Sequence, residues 1–143
     1  MRRVLAVGAI GLAMLATSAC GASARQDAPA ALEQALMDSG LGFTGVSVDS
    51  DGDVLQGIDL GTLIYQDGAD MSSEDLATVL AITADHAGGY DSISLRVIDG
   101  DDVSDPLVNL QEPGDALGVA VSDDGTRVGL GTDALIEQFG GTS

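Results

Sequence analysis

Residues 72–97 read SSEDLATVLAITADHAGGYDSISLRV and give the clearest structural signal in the chain, a helix followed directly by a strand. Ser72 or Ser73 can accept hydrogen bonds from the free amides of the first helical turn. Apolar positions then follow the spacing i, i+3, i+4 and i+7, at Leu76, Val79, Leu80 and Thr83. Gly88-Gly89 marks the end of this helix. The segment therefore predicts a helix with one apolar face.

The predicted strand after this helix also has one apolar side. Ile93, Leu95 and Val97 alternate with Ser92, Ser94 and Arg96. Successive side chains of a strand point to opposite sides of a sheet. We therefore expect the apolar row to pack against the helix and the polar row to lie on the other face.

A hairpin is predicted upstream of the helix. Residues 43–48 alternate, and residues 54–60 resume the alternation after the turn-forming sequence Asp49-Ser50-Asp51-Gly52. Residues 61–65 predict a further short strand. Before the hairpin, residues 29–38 predict a helix, because apolar side chains recur there at helical spacing.

A second hairpin is predicted in the C-terminal part of the chain. Residues 103–115 contain two prolines and a glycine, which indicates an irregular segment. Residues 117–121 then alternate as a strand, and Asp123-Asp124-Gly125 predicts the turn. Residues 127–130 form the predicted return strand.

The order of these elements indicates an α+β fold. After the second hairpin, Thr132 can cap a last short helix over residues 133–139. Because tight turns join neighbouring strands, the sheet should be mostly antiparallel, and helices with one apolar face should pack on one side of it. We expect a two-layer α+β domain with helices on one face, after an N-terminal signal helix.

The chain is strongly acidic. Its 143 residues include 23 acidic ones, five arginines and no lysine, which gives a net charge of −18. Such a surface repels phosphate backbones and gains nothing from counterion release, so nucleic-acid binding is not expected. Basic partners or divalent cations would suit it better.

The first twenty residues combine a basic start, an apolar run and the only cysteine. Arg2 and Arg3 precede an apolar run over residues 4–16, which leads into Thr17-Ser18-Ala19-Cys20. The run is too short for a comfortable membrane span of about 20 residues, which favours a signal sequence. Small residues before a cysteine resemble the lipobox of bacterial lipoproteins. This resemblance implies cleavage before Cys20, acylation of its sulfur and often acylation of its amine.

The single cysteine fits this resemblance. One cysteine allows no internal disulfide, and an unpaired thiol is unusual in an exported protein. The alternatives are a free thiol or an intermolecular bridge. The predicted organisation is a signal peptide over 1–19, a flexible tether over 20–28 and one acidic α+β domain over 29–141. Acyl chains on Cys20 would hold the protein in the cell membrane, facing the extracytoplasmic side.

Acidic turns raise the alternative of a divalent-cation or ligand site. Asp49, Asp51 and Asp53 occupy alternate positions, and carboxylate oxygens are the ligands that Ca²⁺ prefers. A complete calcium loop needs Gly at the sixth position and Glu at the twelfth, where this chain has Val54 and Leu60. A hairpin turn is therefore the favoured interpretation. A similar cluster with no stronger signal is formed by Asp99, Asp101, Asp102 and Asp105.

The sequence contains no convincing catalytic arrangement. His86 is the only histidine, and its neighbour Asp85 does not face it, because adjacent residues of a helix point in different directions. A histidine in the last turn favours contact with the negative end of the helix. Neither a nucleophile-elbow motif nor a phosphate-binding loop occurs. We therefore predict that the protein is not an enzyme and uses no cofactor.

The motifs of residues 30–98 follow a defined order. They are Val46-x-Val48, Asp51-Gly52-x-Val54 and Gly57, then the helix 73–86, Gly88-Gly89 and the strand 93–97. This order is similar to that of the BON domain, a small αββαβ module of bacterial envelopes that is thought to bind phospholipid or other envelope partners. The similarity is interrupted near residues 60–72 and leaves residues 99–143 unexplained. It implies an interaction domain that works in the envelope.

The function predicted from the sequence is that of a lipid-anchored envelope lipoprotein with a small non-catalytic interaction or accessory domain. The alternative is an envelope module that binds a divalent cation or another ligand through its acidic loops. Besides the membrane, which the acyl chains on Cys20 would enter, the expected partner is an envelope protein.

Overall fold

The computed structural model describes residues 20–53 and 55–140, which contain four helices and four strands. The helices are α1 (Cys20–Met37), α2 (Ser73–His86), α3 (Gln111–Leu117) and α4 (Thr132–Phe139). The strands are β1 (Gly45–Asp53), β2 (Gly57–Gln66), β3 (Ser92–Asp99) and β4 (Val128–Gly131). The predicted signal sequence over residues 1–19 lies outside the described residues.

The strands form one mixed sheet in the order β1-β2-β3-β4. The β1–β2 and β3–β4 pairs are antiparallel, whereas β2 and β3 are parallel. Parallel neighbours need a crossover connection, which α2 supplies. The predicted α+β class with a mostly antiparallel sheet is confirmed. The parallel pair at its centre is a feature that the hairpin signals did not indicate.

The core lies between the helices and one face of the sheet. Leu76, Val79 and Leu80 of α2 are fully buried in one cluster with Leu60 of β2 and Leu95 of β3. Burying a side chain of this kind contributes roughly 1.5–3 kcal/mol. Other helices add Leu32, Leu36 and Leu135 to the same cluster. The helices therefore share one side of the sheet, which confirms the two-layer arrangement.

Helix α2 and strand β3 match the prediction from residues 72–97. Helix α2 begins at Ser73, and the Ser72 side chain accepts a hydrogen bond from the Asp75 amide at 3.1 Å. This bond satisfies one of the amides that every helix start leaves free. After the helix, Gly89 adopts a φ of 92°, which glycine tolerates without strain, and the chain turns into β3.

The first hairpin is present, but its turn lies later in the chain than predicted. Residues 49–52, the predicted turn, belong to β1, which continues to Asp53. The predicted strands over 54–60 and 61–65 are wrong as separate elements, because β2 runs without a break.

Two glycines and one carboxylate explain the position of this turn. Gly52 and Gly57 both have positive φ angles, 105° and 99°, and the chain reverses between them. The Asp53 carboxylate accepts hydrogen bonds from the Leu55 and Gln56 amides at 2.9 and 2.8 Å. The Asp-Gly pair therefore does indicate a hairpin, but Gly52 lies inside the β1–β2 ladder, and Asp53, the next residue, shapes the turn.

Helix α1 extends further toward the N-terminus than predicted. Residues 20–28, predicted as a flexible tether, are helical, so Pro29 lies inside the helix. The segment and its continuation are rich in alanine, at Ala22, Ala24, Ala28, Ala30 and Ala31. Alanine has the highest helix propensity, which offsets the hydrogen bond that Pro29 removes. Ala28 is also buried in the core cluster, so the last residue of the predicted tether packs against the domain.

Helix α3 occupies residues that were predicted as irregular or as strand. It takes the end of the segment 103–115 and the start of the predicted strand 117–121. Pro113 lies in its first turn, where the amides have no helical partner, so the proline does not interrupt the helix. Gly118 ends the helix with a φ of 71°. The proline was a misleading signal because its effect depends on its position in the helix.

The prediction of a strand over residues 117–121 is also wrong. Val121 forms only an isolated bridge with Val128. Gly114 of α3 packs directly on Val121, and a Cβ atom added at Gly114 would overlap that side chain. The segment is therefore held by its contact with the helix and by a few backbone hydrogen bonds, such as that from the Gly129 amide to the Ala120 carbonyl oxygen at 3.2 Å, and does not form a full strand.

Thr132 does not cap α4. The helix begins at Thr132 itself, with Gly131 at the cap position and no side-chain cap bond. The Thr132 amide donates to the Asp91 carbonyl oxygen at 3.0 Å, which draws the residue inward. Its hydroxyl is consequently buried, without a hydrogen-bond partner among the described residues. The prediction of a threonine cap is therefore wrong.

Candidate functional site

One face of the sheet is covered by helices, and the other is not. Along each strand, the side chains that alternate with the buried ones point away from the core. On the uncovered side, one shallow groove of about 290 Å³ is lined mainly by charged and hydroxyl side chains, together with Leu63. We define the open face by Asp49, Asp51, Asp59, Ser94, Arg96 and Arg127, which line this groove.

The strand register separates opposite charges on the open face. Asp51 lies opposite Asp59 in the β1–β2 ladder. The last residue pair of the β3–β4 ladder is Leu95 with Val128. Arg96 directly follows Leu95 in β3, and Arg127 directly precedes Val128. Acidic side chains therefore concentrate over β1 and β2, and the arginines lie beside each other over β3 and the start of β4.

Asp59 is fixed by two serine hydroxyls. Ser92 Oγ donates to Asp59 Oδ1, and Ser94 Oγ donates to Asp59 Oδ2, both at 2.8 Å. The parallel pairing of β2 with β3 brings the aspartate between the two serines. Hydrogen bonds to a carboxylate are stronger than those between neutral groups. Both oxygens of Asp59 are therefore engaged within the sheet.

Arg96 and Arg127 supply all the arginine charge among the described side chains, and the chain has no lysine. Both side chains are exposed. Neither guanidinium lies within 4.0 Å of a carboxylate oxygen in residues 20–53 and 55–140. Their N–H donors are therefore open to solvent in a chain with 23 acidic residues.

A second groove opens next to the arginines because β3 changes its neighbour at Arg96. Strand β3 pairs with β4 up to Leu95, whereas Ile98 forms a bridge with Leu107. The two neighbouring segments diverge, and the space between them has a volume of about 470 Å³. We call it the arginine groove, and its lining includes Arg96, Leu107, Asp123, Asp124 and Arg127.

The turn predicted at Asp123-Asp124-Gly125 is confirmed, and it borders the arginine groove. The Gly125 amide donates to the Ser122 carbonyl oxygen at 2.9 Å. Asp124 Oδ1 accepts from Ser122 Oγ at 2.6 Å and from Thr126 Oγ1 at 2.8 Å. These bonds, that from Ser122 above all, lower the pKa of Asp124 to about 2. Asp124 is therefore ionised at neutral pH and engaged within the turn.

Asp49, Asp51 and Asp53 are spread along a strand instead of meeting at one point. Three alternate strand positions span about 13 Å, and Ca²⁺ takes ligands at about 2.3–2.6 Å. Asp51 accepts from the Gly52 amide at 2.9 Å, and Asp53 is used in the hairpin turn. Within the described residues, no group of three His, Cys, Asp or Glu side chains is arranged to hold a metal ion.

The second acidic cluster shapes its own loop. Asp105 Oδ2 accepts from the Asp101 and Asp102 amides, both at 3.1 Å. Asp99 accepts from the Gly68 amide at 3.0 Å. Hydrogen bonds from the Ser104 amide and hydroxyl lower the pKa of Asp102. These carboxylates therefore have structural partners in the loop.

His86 lies at the end of α2 and contacts the backbone of that helix. Its Nδ1 atom is 2.9 Å from the Ile82 carbonyl oxygen. This contact is the predicted interaction with the negative end of the helix. Asp85 is exposed, and Tyr90 is buried in the core cluster. His86 therefore has a structural role that the sequence indicates.

The sequence indicates Asp49 and Asp51 of the open face but neither Asp59 nor the pairing of the two arginines. Arg96 lies in the polar row of the predicted strand, and Arg127 follows the predicted second turn. Local sequence patterns do not show that β3 and β4 are neighbours in the sheet. A usable signal is that residues 29–141 contain no other arginine and no lysine.

Cys20 is the first described residue of α1, but its side chain lies outside what the structure describes, so lipidation stays a prediction. Within the described residues, no helix has the length and hydropathy needed to cross a membrane. Comparison with known proteins gave no matching family model, no matching curated protein and no matching solved structure.

Proposed function

We propose that this protein is a lipid-anchored lipoprotein of the bacterial envelope whose small domain binds a partner and catalyses no reaction. The observation that carries the binding role is the open face, a polar sheet surface that no helix covers. Because the core is complete on the other side, this surface is available without any rearrangement. The N-terminal sequence and the single cysteine support the anchor.

Acyl chains on Cys20 would provide the hold on the membrane. Each buried CH₂ group contributes about 0.8 kcal/mol, and stable anchoring takes about two chains. Without Arg2 and Arg3, the chain has 23 acidic residues against three arginines, a net charge of −20. Anionic headgroups repel such a chain. Hydrophobic insertion is therefore the kind of attachment that this composition favours.

Helix α1 would connect the anchor directly to the domain. It begins at Cys20, and Ala28 is its first described side chain that is buried. A helix rises about 1.5 Å per residue, so residues 20–28 cover about 12 Å. Lipidation at Cys20 would therefore hold the domain close to the headgroups, with the helix limiting its reach.

The order of elements supports a partner in the envelope. The series α1-β1-β2-α2-β3 has the αββαβ order that the resemblance to BON domains implies. The alternative of a cation-binding module has less support, because Asp49, Asp51 and Asp53 extend along β1. A protein or ligand that contacts the open face fits the arrangement better.

The Cys20→Ala variant tests the anchor. Without the sulfur atom no acyl group can be attached, so we expect the protein to leave the membrane fraction or to accumulate unprocessed. It should also lose incorporation of labelled fatty acid. Membrane fractionation and metabolic labelling measure these effects, with Ser23→Ala as the matched control that keeps both. A Cys20→Ala protein that stays as membrane-bound and as lipid-labelled as the parent would contradict the proposal.

A further inference from the structure

The arginine groove has a chemistry that the proposed anchor does not use. We propose that it binds the oxyanion of a small carboxylate or phosphate ligand, with Arg96 and Arg127 holding the anionic group. Leu107 would contact the apolar part of the ligand. This inference rests on the proposed binding role of the domain and adds a second site beside the open face, with the chemistry of the ligand that the site takes.

The first argument is that two positive charges lie side by side. Like charges opposite each other on a sheet are destabilising. Arg96 and Arg127 nevertheless flank the same end of the β3–β4 ladder, and neither forms an ion pair within 4.0 Å among the described residues, so more distant carboxylates offset their repulsion only in part. An anion bound between them would remove it. Each guanidinium presents a planar fork of N–H groups that matches carboxylate and phosphate oxygens.

The second argument is that the guanidinium donors of the groove lack partners within the described part of the chain, whereas one of its two carboxylates, that of Asp124, is engaged in the turn. Asp124 is engaged by Ser122 and Thr126. The neighbouring carboxylate of Asp59 is also engaged, by two serine hydroxyls. The arginine N–H groups have no such partners among the described residues. A ligand that pairs with these two guanidinium groups must therefore bring acceptor oxygens.

The lining of the groove limits the ligand to a small anion. Asp123 and Asp124 border the same space as the arginines, so an extended polyanion would meet repulsion on leaving the guanidinium pair. More distant acids matter less, because at physiological ionic strength charges are screened beyond about 8 Å. Leu107 is 41% exposed and offers an apolar wall. A single oxyanion on a short apolar body fits these features.

Arginine side-chain NMR tests the proposal on the full-length chain in neutral detergent micelles. The Nε–Hε signals are followed at constant ionic strength while inorganic phosphate or, in a separate series, butyrate is added. We expect the Arg96 and Arg127 signals to shift along saturable curves, while the other arginine signals stay in place. The series with the tighter binding identifies the favoured oxyanion.

Matched variants assign the effect to the guanidinium forks. R96Q and R127Q should each raise the dissociation constant roughly tenfold or more, because each removes charge-assisted hydrogen bonds. R96K keeps the charge but not the fork, so an intermediate value is expected. R25Q removes one positive charge elsewhere and should bind as the parent does. A thermal unfolding midpoint close to that of the parent shows that each variant is folded.

Two results would overturn the proposal. One is equal shifts of all arginine signals, which report a general salt effect. The other is saturable binding that persists unchanged in the folded double variant R96Q/R127Q. Cys20→Ala should bind the anion as the parent does, so failure of the groove and failure of the anchor are distinguishable.

Discussion

Thr62 lies on the core side of β2 with 5% of its surface exposed, and its hydroxyl has no hydrogen-bond partner among the described residues. Such a hydroxyl has lost its hydration without compensation. Thr62→Val replaces the hydroxyl with a methyl group of similar size. We expect the free energy of unfolding to rise by about 1 kcal/mol. Urea unfolding of the full chain measures this change.

Thr83→Val is the matched control for Thr62→Val. The Thr83 hydroxyl is equally buried, but it donates to the Val79 carbonyl oxygen at 2.7 Å. Its removal should lower the free energy of unfolding by about 1 kcal/mol. If both variants are destabilised alike, the Thr62 hydroxyl has a partner and the description of this position is wrong.

Helix α2 depends on a single capping side chain at its start. Ser72 Oγ accepts from the Asp75 amide, whereas Ser73 is already the first helical residue and has no such bond. Ser72→Ala should therefore lower the free energy of unfolding by about 1 kcal/mol. Chemical denaturation compares it with Ser73→Ala, which should change stability by less than about 0.5 kcal/mol. Equal losses in the two variants would exclude Ser72 as the cap.

The elements predicted correctly are those whose signals lie within their own sequence. Helix α2 has a cap, a regular apolar spacing and a glycine stop, and β3 alternates without interruption. The errors occur where one residue type has two uses. Pro113 breaks a helix interior but is accepted in a first turn, and Gly52 suits both a turn and a kinked strand. Which use applies depends on contacts with the rest of the fold, and the local sequence does not show them.

The arrangement of the whole molecule could be predicted in part. Alternation along each strand correctly places the helices on one face of the sheet, because the apolar side chains of the strands share one face and must be buried there against another layer. The sequence does not indicate that β2 and β3 are parallel neighbours, since that pairing is made across α2. The open face follows from this pairing, which brings Asp59 to the serines and Arg96 to the centre of the sheet. Long-range pairing is therefore the information that local patterns lacked.

A photocrosslinking residue at Asp49 tests most directly whether the open face contacts a partner. Asp49 is exposed on the open face, and Thr78, which is also exposed, is the control on α2 in the helical layer. Both variants are irradiated in the cells that produce the protein, and the membrane fraction is then analysed by mass. We predict discrete crosslinked products from position 49 and none of these from position 78. The same products from both positions, or none from position 49 in folded, membrane-bound protein, would contradict the proposed binding role.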